Sequence, residues 1–205
     1  MALLPGFLKY ATHPGLPPAL TITSRATWGA VEPNLEAANE RGLYDPVKNL
    51  GGWLIYDAPL SQVLHTLVVH HTATFVKQHP RQVQRWHMQR AGLADIAYHF
   101  IIDAKGEAFE GRTINVRGAH TGGHNTGTIG VALLGHFDLW HPSEAQIVTL
   151  KFLITHLKQS YALTHLAGHR DFQPGITECP GQHLAIYLPT LAESAGLIYG
   201  TGGRK

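Results

Sequence analysis

The chain has 205 residues, 44% hydrophobic and 15% charged, which excludes a disordered or fibrous protein and fits one domain with a substantial core. A formal net charge of +2 with no Lys/Arg run argues against a nucleic-acid partner, and no stretch reaches the roughly 20 apolar residues of a membrane span. The single cysteine excludes an internal disulfide, while 15 histidines nearly equal the 16 Lys plus Arg and make the protein more cationic as pH falls through about 6.5.

Residues 1–22, with Pro14-Gly15-Leu16-Pro17-Pro18, read as an arm ahead of the domain. Met1–Lys9 lacks a charged start, a long apolar stretch and a small-residue cleavage site, so no signal peptide is read there. The segment 31–62, punctuated by Glu32-Pro33, Asp45-Pro46 and Gly51-Gly52, reads as an irregular surface insertion. Thr66–His71 is a β-branched run typical of a buried central strand. Pro80–Ala91 predicts a helix opened by proline and closed by Gly92. Ala97–Asp103 predicts a strand, Lys105-Gly106 a hairpin turn and Glu107–Glu110 the returning strand. Thr128–Gly135 is a further buried strand. Ser143 is a good N-cap for a helix to about Tyr161, with Ile147, Leu150, Leu153, Ile154 and Leu157 on one face, and a last helix covers about His183–Ala195. The expected fold is α/β: a single domain over 23–200 with a central mixed β-sheet flanked by α-helices.

The residues that carry chemistry lie late in the chain. His169, in Gly168-His169-Arg170-Asp171, stands ten positions before the only cysteine, Cys179. Imidazole and thiolate are zinc ligands, and a catalytic zinc site uses three protein ligands and one open position. A third histidine is available at His70 or His71, which are adjacent on a strand and point to opposite faces; their equally apolar neighbours do not say which one turns inward. Buried structural histidines and a small buried thiol are the alternative reading.

Ser24-Arg25-Ala26-Thr27-Trp28-Gly29-Ala30, Val68-Val69-His70-His71-Thr72-Ala73 and Asp95-Ile96-Ala97-Tyr98-His99-Phe100 resemble motifs of the peptidoglycan recognition protein family. The resemblance continues in order through Glu110-Gly111-Arg112, Gly118-Ala119-His120-Thr121-Gly122, Asn125 and Ile129-Gly130-Val131 to Gly168–Asp171 and Glu178-Cys179-Pro180-Gly181. The chain is likewise similar to the wider group of zinc-dependent N-acetylmuramoyl-L-alanine amidases, phage enzymes included. The likeness covers about residues 22–190 and implies the fold of those proteins.

The resemblance implies one Zn2+ held by His70, His169 and Cys179, with His71 packed on the far side of the strand. It implies that Tyr98 orients water or donates to the oxyanion and that Thr177 supports it; a loop hydroxyl bonded to backbone is the alternative for Thr177. His120 and Asn125 match the loop bordering the glycan-peptide groove, and Thr72, Trp86, His87 and Arg112 are further candidates for substrate contact. The implied reaction is hydrolysis of the amide between N-acetylmuramic acid and L-alanine, with peptidoglycan as partner, the bacterial cell wall as place of action and a monomer as the working form. A peptidoglycan-binding module without catalysis is the other expectation, and Cys179 argues for the enzyme. Where many members carry Gly-Trp or Asn-Phe, this chain has Thr113-Ile114, so no preference for the third stem residue carries over.

Overall fold

Thr66–His71 forms the central strand its composition predicts: all six residues are buried, and parallel neighbours pair with it on both sides. The computed structural model describes residues 20–37, 53–74 and 78–203. Within them seven strands, β1 (Ile22–Thr23), β2 (Thr66–His71), β3 (Phe100–Ile102), β4 (Ala108–Glu110), β5 (Thr128–Leu133), β6 (His165–Gly168) and β7 (Ile198–Tyr199), form one sheet in the order β1-β4-β3-β5-β2-β6-β7. Only the β3–β4 hairpin is antiparallel, so the sheet is mixed, as expected. The helices are α1 (Arg25–Trp28), α2 (Leu60–Val63), α3 (Pro80–Gln89), α4 (Glu144–Tyr161), α5 (His169–Phe172), α6 (Gln182–Ala185) and α7 (Leu188–Ala195).

Alternation along the strands divides the core between the two faces. Leu67, Val69, Ile129, Val131 and Leu133 pack with Leu150, Leu153, Ile154 and Leu157 of α4 and Leu188 and Leu191 of α7. A Leu or Ile buried this fully contributes about 1.5–3 kcal/mol, so the apolar row of α4 fixes that helix on the sheet. Ser143 caps it reciprocally: its hydroxyl accepts from Gln146 N, and Gln146 Oε1 accepts from Ser143 N. Ile101 and Phe109 point the other way, onto Trp28 and Val83 of α3.

Two expectations are corrected in detail. The last helix is broken into α6 and α7, because Pro189 has no N–H to donate to Ala185 and its ring would crowd that carbonyl. The strand expected over 97–103 is regular only at Phe100–Ile102, although His99 N still donates to Gly130 O and Gly111 N to His99 O. The arm up to residue 19 and residues 38–52 of the expected insertion lie outside the described residues. The rest of that insertion is tied to the domain: Asn34 N donates to Ala94 O, Tyr56 N to Asn115 O, and Ile55 bridges Val116.

Candidate functional site

The site lies at the carboxyl ends of the central parallel strands, where open α/β sheets place their ligands. His70 shares its face of β2 with Val68, opposite Leu67, Val69 and His71. Its neighbours across the sheet are small, Gly130 and Ala132 of β5 and Ala167 of β6, which leaves an open floor there. Strand β6 runs into α5 without a loop, so His169 follows directly on Gly168, which pairs with Val69. The loop after α5 is folded back by Arg170, whose N donates to Cys179 O at 2.7 Å and whose Nη2 donates to Glu178 O at 2.7 Å. That return brings Cys179 beside His70.

One ligand atom from each of His70, His169 and Cys179 lies within 4.8 Å of the other two. His70 Nδ1 is 3.5 Å from Cys179 Sγ. Two tetrahedral corners occupied by S and N at zinc bonding distances are also about 3.5 Å apart. The remaining ring nitrogens are engaged elsewhere: His70 Nε2 is 3.0 Å from His120 Nδ1, and His169 Nε2 is 2.9 Å from Gln173 Oε1. Metal-ligating histidines commonly donate their second N–H to such a partner, so this donor set fits zinc. Burial holds both histidines neutral, with His70 far below the usual imidazole range and His169 also lowered, and the ring partners add to the effect on His70. Burial pushes the Cys179 thiol up to about 12. A cation at this point would offset that cost and hold the thiolate.

A second cluster, His71, His136 and Asp138, meets the same distance test among the described residues but fails on hydrogen bonding. His71 Nδ1 accepts from Phe137 N at 3.2 Å, so the ring proton sits on Nε2. Ligation through either nitrogen would cost that bond. His71 therefore packs away from the triad against Phe137, as its place on the strand requires.

The other expected site residues divide into two groups. Tyr98 is half-buried with its ring 5.1 Å from that of His70, and its hydroxyl makes no hydrogen bond among the described residues. Burial raises its pKa, so the phenol keeps its proton. His87 packs 5.4 Å from the Tyr98 ring while its Nδ1 accepts from Ala97 N, and Trp86 beside it is 60% exposed. Thr177 Oγ1 accepts from Cys179 N at 3.1 Å, which is the loop-hydroxyl role and still leaves its proton to donate.

The second group serves the scaffold. Thr72 Oγ1 accepts from Gly135 N and meets Thr74 Oγ1. Asn125, fully buried, accepts from both His120 N and Thr121 N through Oδ1 and shapes the loop that carries His120. Arg112 is corrected: its side chain is 0% exposed, Nε donates to Ile96 O and Nη1 to Arg117 O, and the guanidinium lies over Trp53. His120 is buried beside His70, its ring resting where a Cβ on Gly118 or Gly130 would collide with it. Sequence reasoning missed Gln173, whose only signal was its i+4 spacing from His169.

Residues 60–182 match the family model described as N-acetylmuramoyl-L-alanine amidase. The chain belongs to the N-acetylmuramoyl-L-alanine amidase family. This amidase-family chain is 35% identical over 136 residues to peptidoglycan-recognition protein SC2 of Drosophila simulans, covering 61% of itself and 72% of that protein. It is 35% identical over 150 residues to the N-acetylmuramoyl-L-alanine amidase of Sus scrofa, covering 64% of itself and about a quarter, 24%, of that longer protein. Among solved structures, Drosophila peptidoglycan recognition protein SD superposes with TM-score 0.65 at 27% identity, covering 82% and 92% of the two chains. The amidase LysC of Clostridium intestinale superposes with TM-score 0.61 at 28% identity, covering 71% and 95%. The family's fold is thus the mixed single-sheet domain described above.

Proposed function

We propose that the chain is a zinc-dependent N-acetylmuramoyl-L-alanine amidase that acts on bacterial cell walls. The observation that carries this reading is the convergence of His70, His169 and Cys179, with the second nitrogen of each histidine already engaged. Zinc, when bound by such a set, acidifies a water molecule and polarises the carbonyl to be attacked. The chain's own residues do the rest. Tyr98 presents a neutral hydroxyl beside His70, suited to donate a hydrogen bond where negative charge develops on the carbonyl oxygen. Thr177 fixes the backbone at Cys179 through its oxygen and keeps one proton to offer the same centre. Trp86, its ring 5.6 Å from that of His87, supplies an exposed aromatic face for a sugar ring.

A binding module without turnover is the second reading, favoured by the recognition proteins among the relatives. One of these, the ectodomain complex of recognition proteins LCa and LCx, is known bound to tracheal cytotoxin. Digestion of purified sacculi followed by mass spectrometry separates the two readings. The amidase reading expects stem peptides with a free L-alanine amino terminus and intact glycan, lost on chelation or in Cys179→Ala while wall binding persists. Stoichiometric wall binding with no release of amino termini from the zinc-loaded protein sinks it.

A further inference from the structure

Gln173 touches the candidate zinc centre and a neighbouring loop at once. Its Oε1 lies 2.9 Å from His169 Nε2, and its Nε2 donates to Gly122 O at 3.1 Å. A carbonyl oxygen only accepts, so the amide nitrogen of Gln173 must face Gly122 and Oε1 must face His169. The imidazole nitrogen meeting Oε1 must then carry the proton, which leaves Nδ1 of His169 with the lone pair.

We propose that Gln173 is a positioning residue for His169, transmitting the fixed polarity of the Gly122 carbonyl into the tautomer that leaves the Nδ1 lone pair for a metal shared with Cys179 and His70. Gly122 belongs to the same loop as His120, whose Nδ1 lies 3.0 Å from Nε2 of His70. One loop, residues 118–127, therefore backs both histidines. The backing of His169 runs through a neutral amide rather than a carboxylate, which leaves the ring proton on Nε2 and adds no charge to a buried centre.

The inference rests on the zinc reading for its consequence, yet its core concerns a tautomer and is testable on zinc-free protein. Long-range 1H–15N spectra of the histidine rings should show His169 as the Nε2–H tautomer in the parent and in Gln173→Glu, where a carboxylate still accepts that proton. In Gln173→Leu the signals should shift to a mixture or to Nδ1–H. Zinc affinity by competition with a chromophoric chelator should fall roughly tenfold to a hundredfold in Gln173→Leu. It should stay within a fewfold of the parent in Gln173→Glu. An unchanged tautomer in Gln173→Leu overturns the proposal, as does an equal loss of affinity in both variants, which would mark Gln173 as a mere staple to Gly122. A parent that keeps the Nε2–H tautomer but takes up no zinc overturns the zinc reading and leaves the role of Gln173 standing.

Discussion

His70 sends its Nε2 to His120 Nδ1, 3.0 Å away, and so turns Nδ1 to Cys179. With His70 the donor, the proton of His120 sits on its Nε2, which is buried and has no hydrogen-bond partner among the described residues. Such an orphan costs about 1–3 kcal/mol, so the His120 ring is held by shape, over the bare backbone of Gly118 and Gly130. Gly130→Ala should displace the ring, because the added methyl collides with it. The expected result is a loss of zinc affinity of roughly tenfold or more, read by chelator competition, and His120→Ala should lose as much. If Gly130→Ala binds zinc as tightly as the parent, the His120 contact does not position His70.

The Cys179 thiol, at about 12 in the zinc-free protein, is protonated at neutral pH and must lose its proton to ligate. Zinc binding at pH 7 should therefore release about one proton from this residue, and affinity should rise close to tenfold per pH unit while the histidines stay neutral. Calorimetry in buffers of different ionisation enthalpy measures the release. In Cys179→Ala it should vanish. A parent that binds zinc without releasing a proton would show that the thiol is not a ligand.

Strands β2 and β5 and helix α4 were legible because each is long and uniform in its period. Strand β6 was not: His165-Leu166-Ala167-Gly168 offers four residues, two of them small, and it is extended because β2 supplies its hydrogen bonds. Residue type and spacing pointed to His169 and Cys179 as candidate zinc ligands, but 15 histidines left the set open, and the choice of His70 over His71 needed the family resemblance. What surrounds the triad was hidden. Nothing in the sequence distinguishes a polar side chain turned toward a ligand from one turned toward the protein's own backbone, as those of Arg112 and Asn125 are.

His99 makes two hydrogen bonds that require it neutral: Nε2 donates to Val116 O and Nδ1 accepts from Gly130 N. Burial, with a smaller contribution from Arg112, brings its pKa down to about 4, while the unfolded value stays near 6.5. The unfolded chain therefore takes up a proton first as pH falls. The stability tied to this residue is fully present above pH 6.5 and is lost between about 6.5 and 4, about 3 kcal/mol over that window. His71, at about 4, adds in the same direction. Denaturant unfolding of zinc-free protein at pH 7.5, 6 and 5 should show a steady fall, and NMR should find His99 neutral at pH 5. A flat profile across that range would refute the assignment.

The Arg25 and Asp95 side chains, matched to family motifs, pin the first helix to the turn that leads into Tyr98. Arg25 Nη1 lies 2.9 Å from Asp95 Oδ2, and the carboxylate is 1% exposed. Its other oxygen accepts from Gln84 Nε2 and Ile96 N, so Asp95 is held from three directions. Removing only the cation leaves a buried carboxylate uncompensated, which typically costs 3–5 kcal/mol. The two hydrogen bonds that remain put Arg25→Met near the lower end, about 3 kcal/mol, or roughly 6–12 °C in Tm for a chain of this size. The pair Arg25→Met/Asp95→Asn should lose less than the sum of its single variants by more than about 1 kcal/mol, because neutralising Asp95 removes the charge that Arg25 compensates. Additive losses in that cycle would mean that Arg25 acts through its bonds to Gly111 O and Val31 O instead.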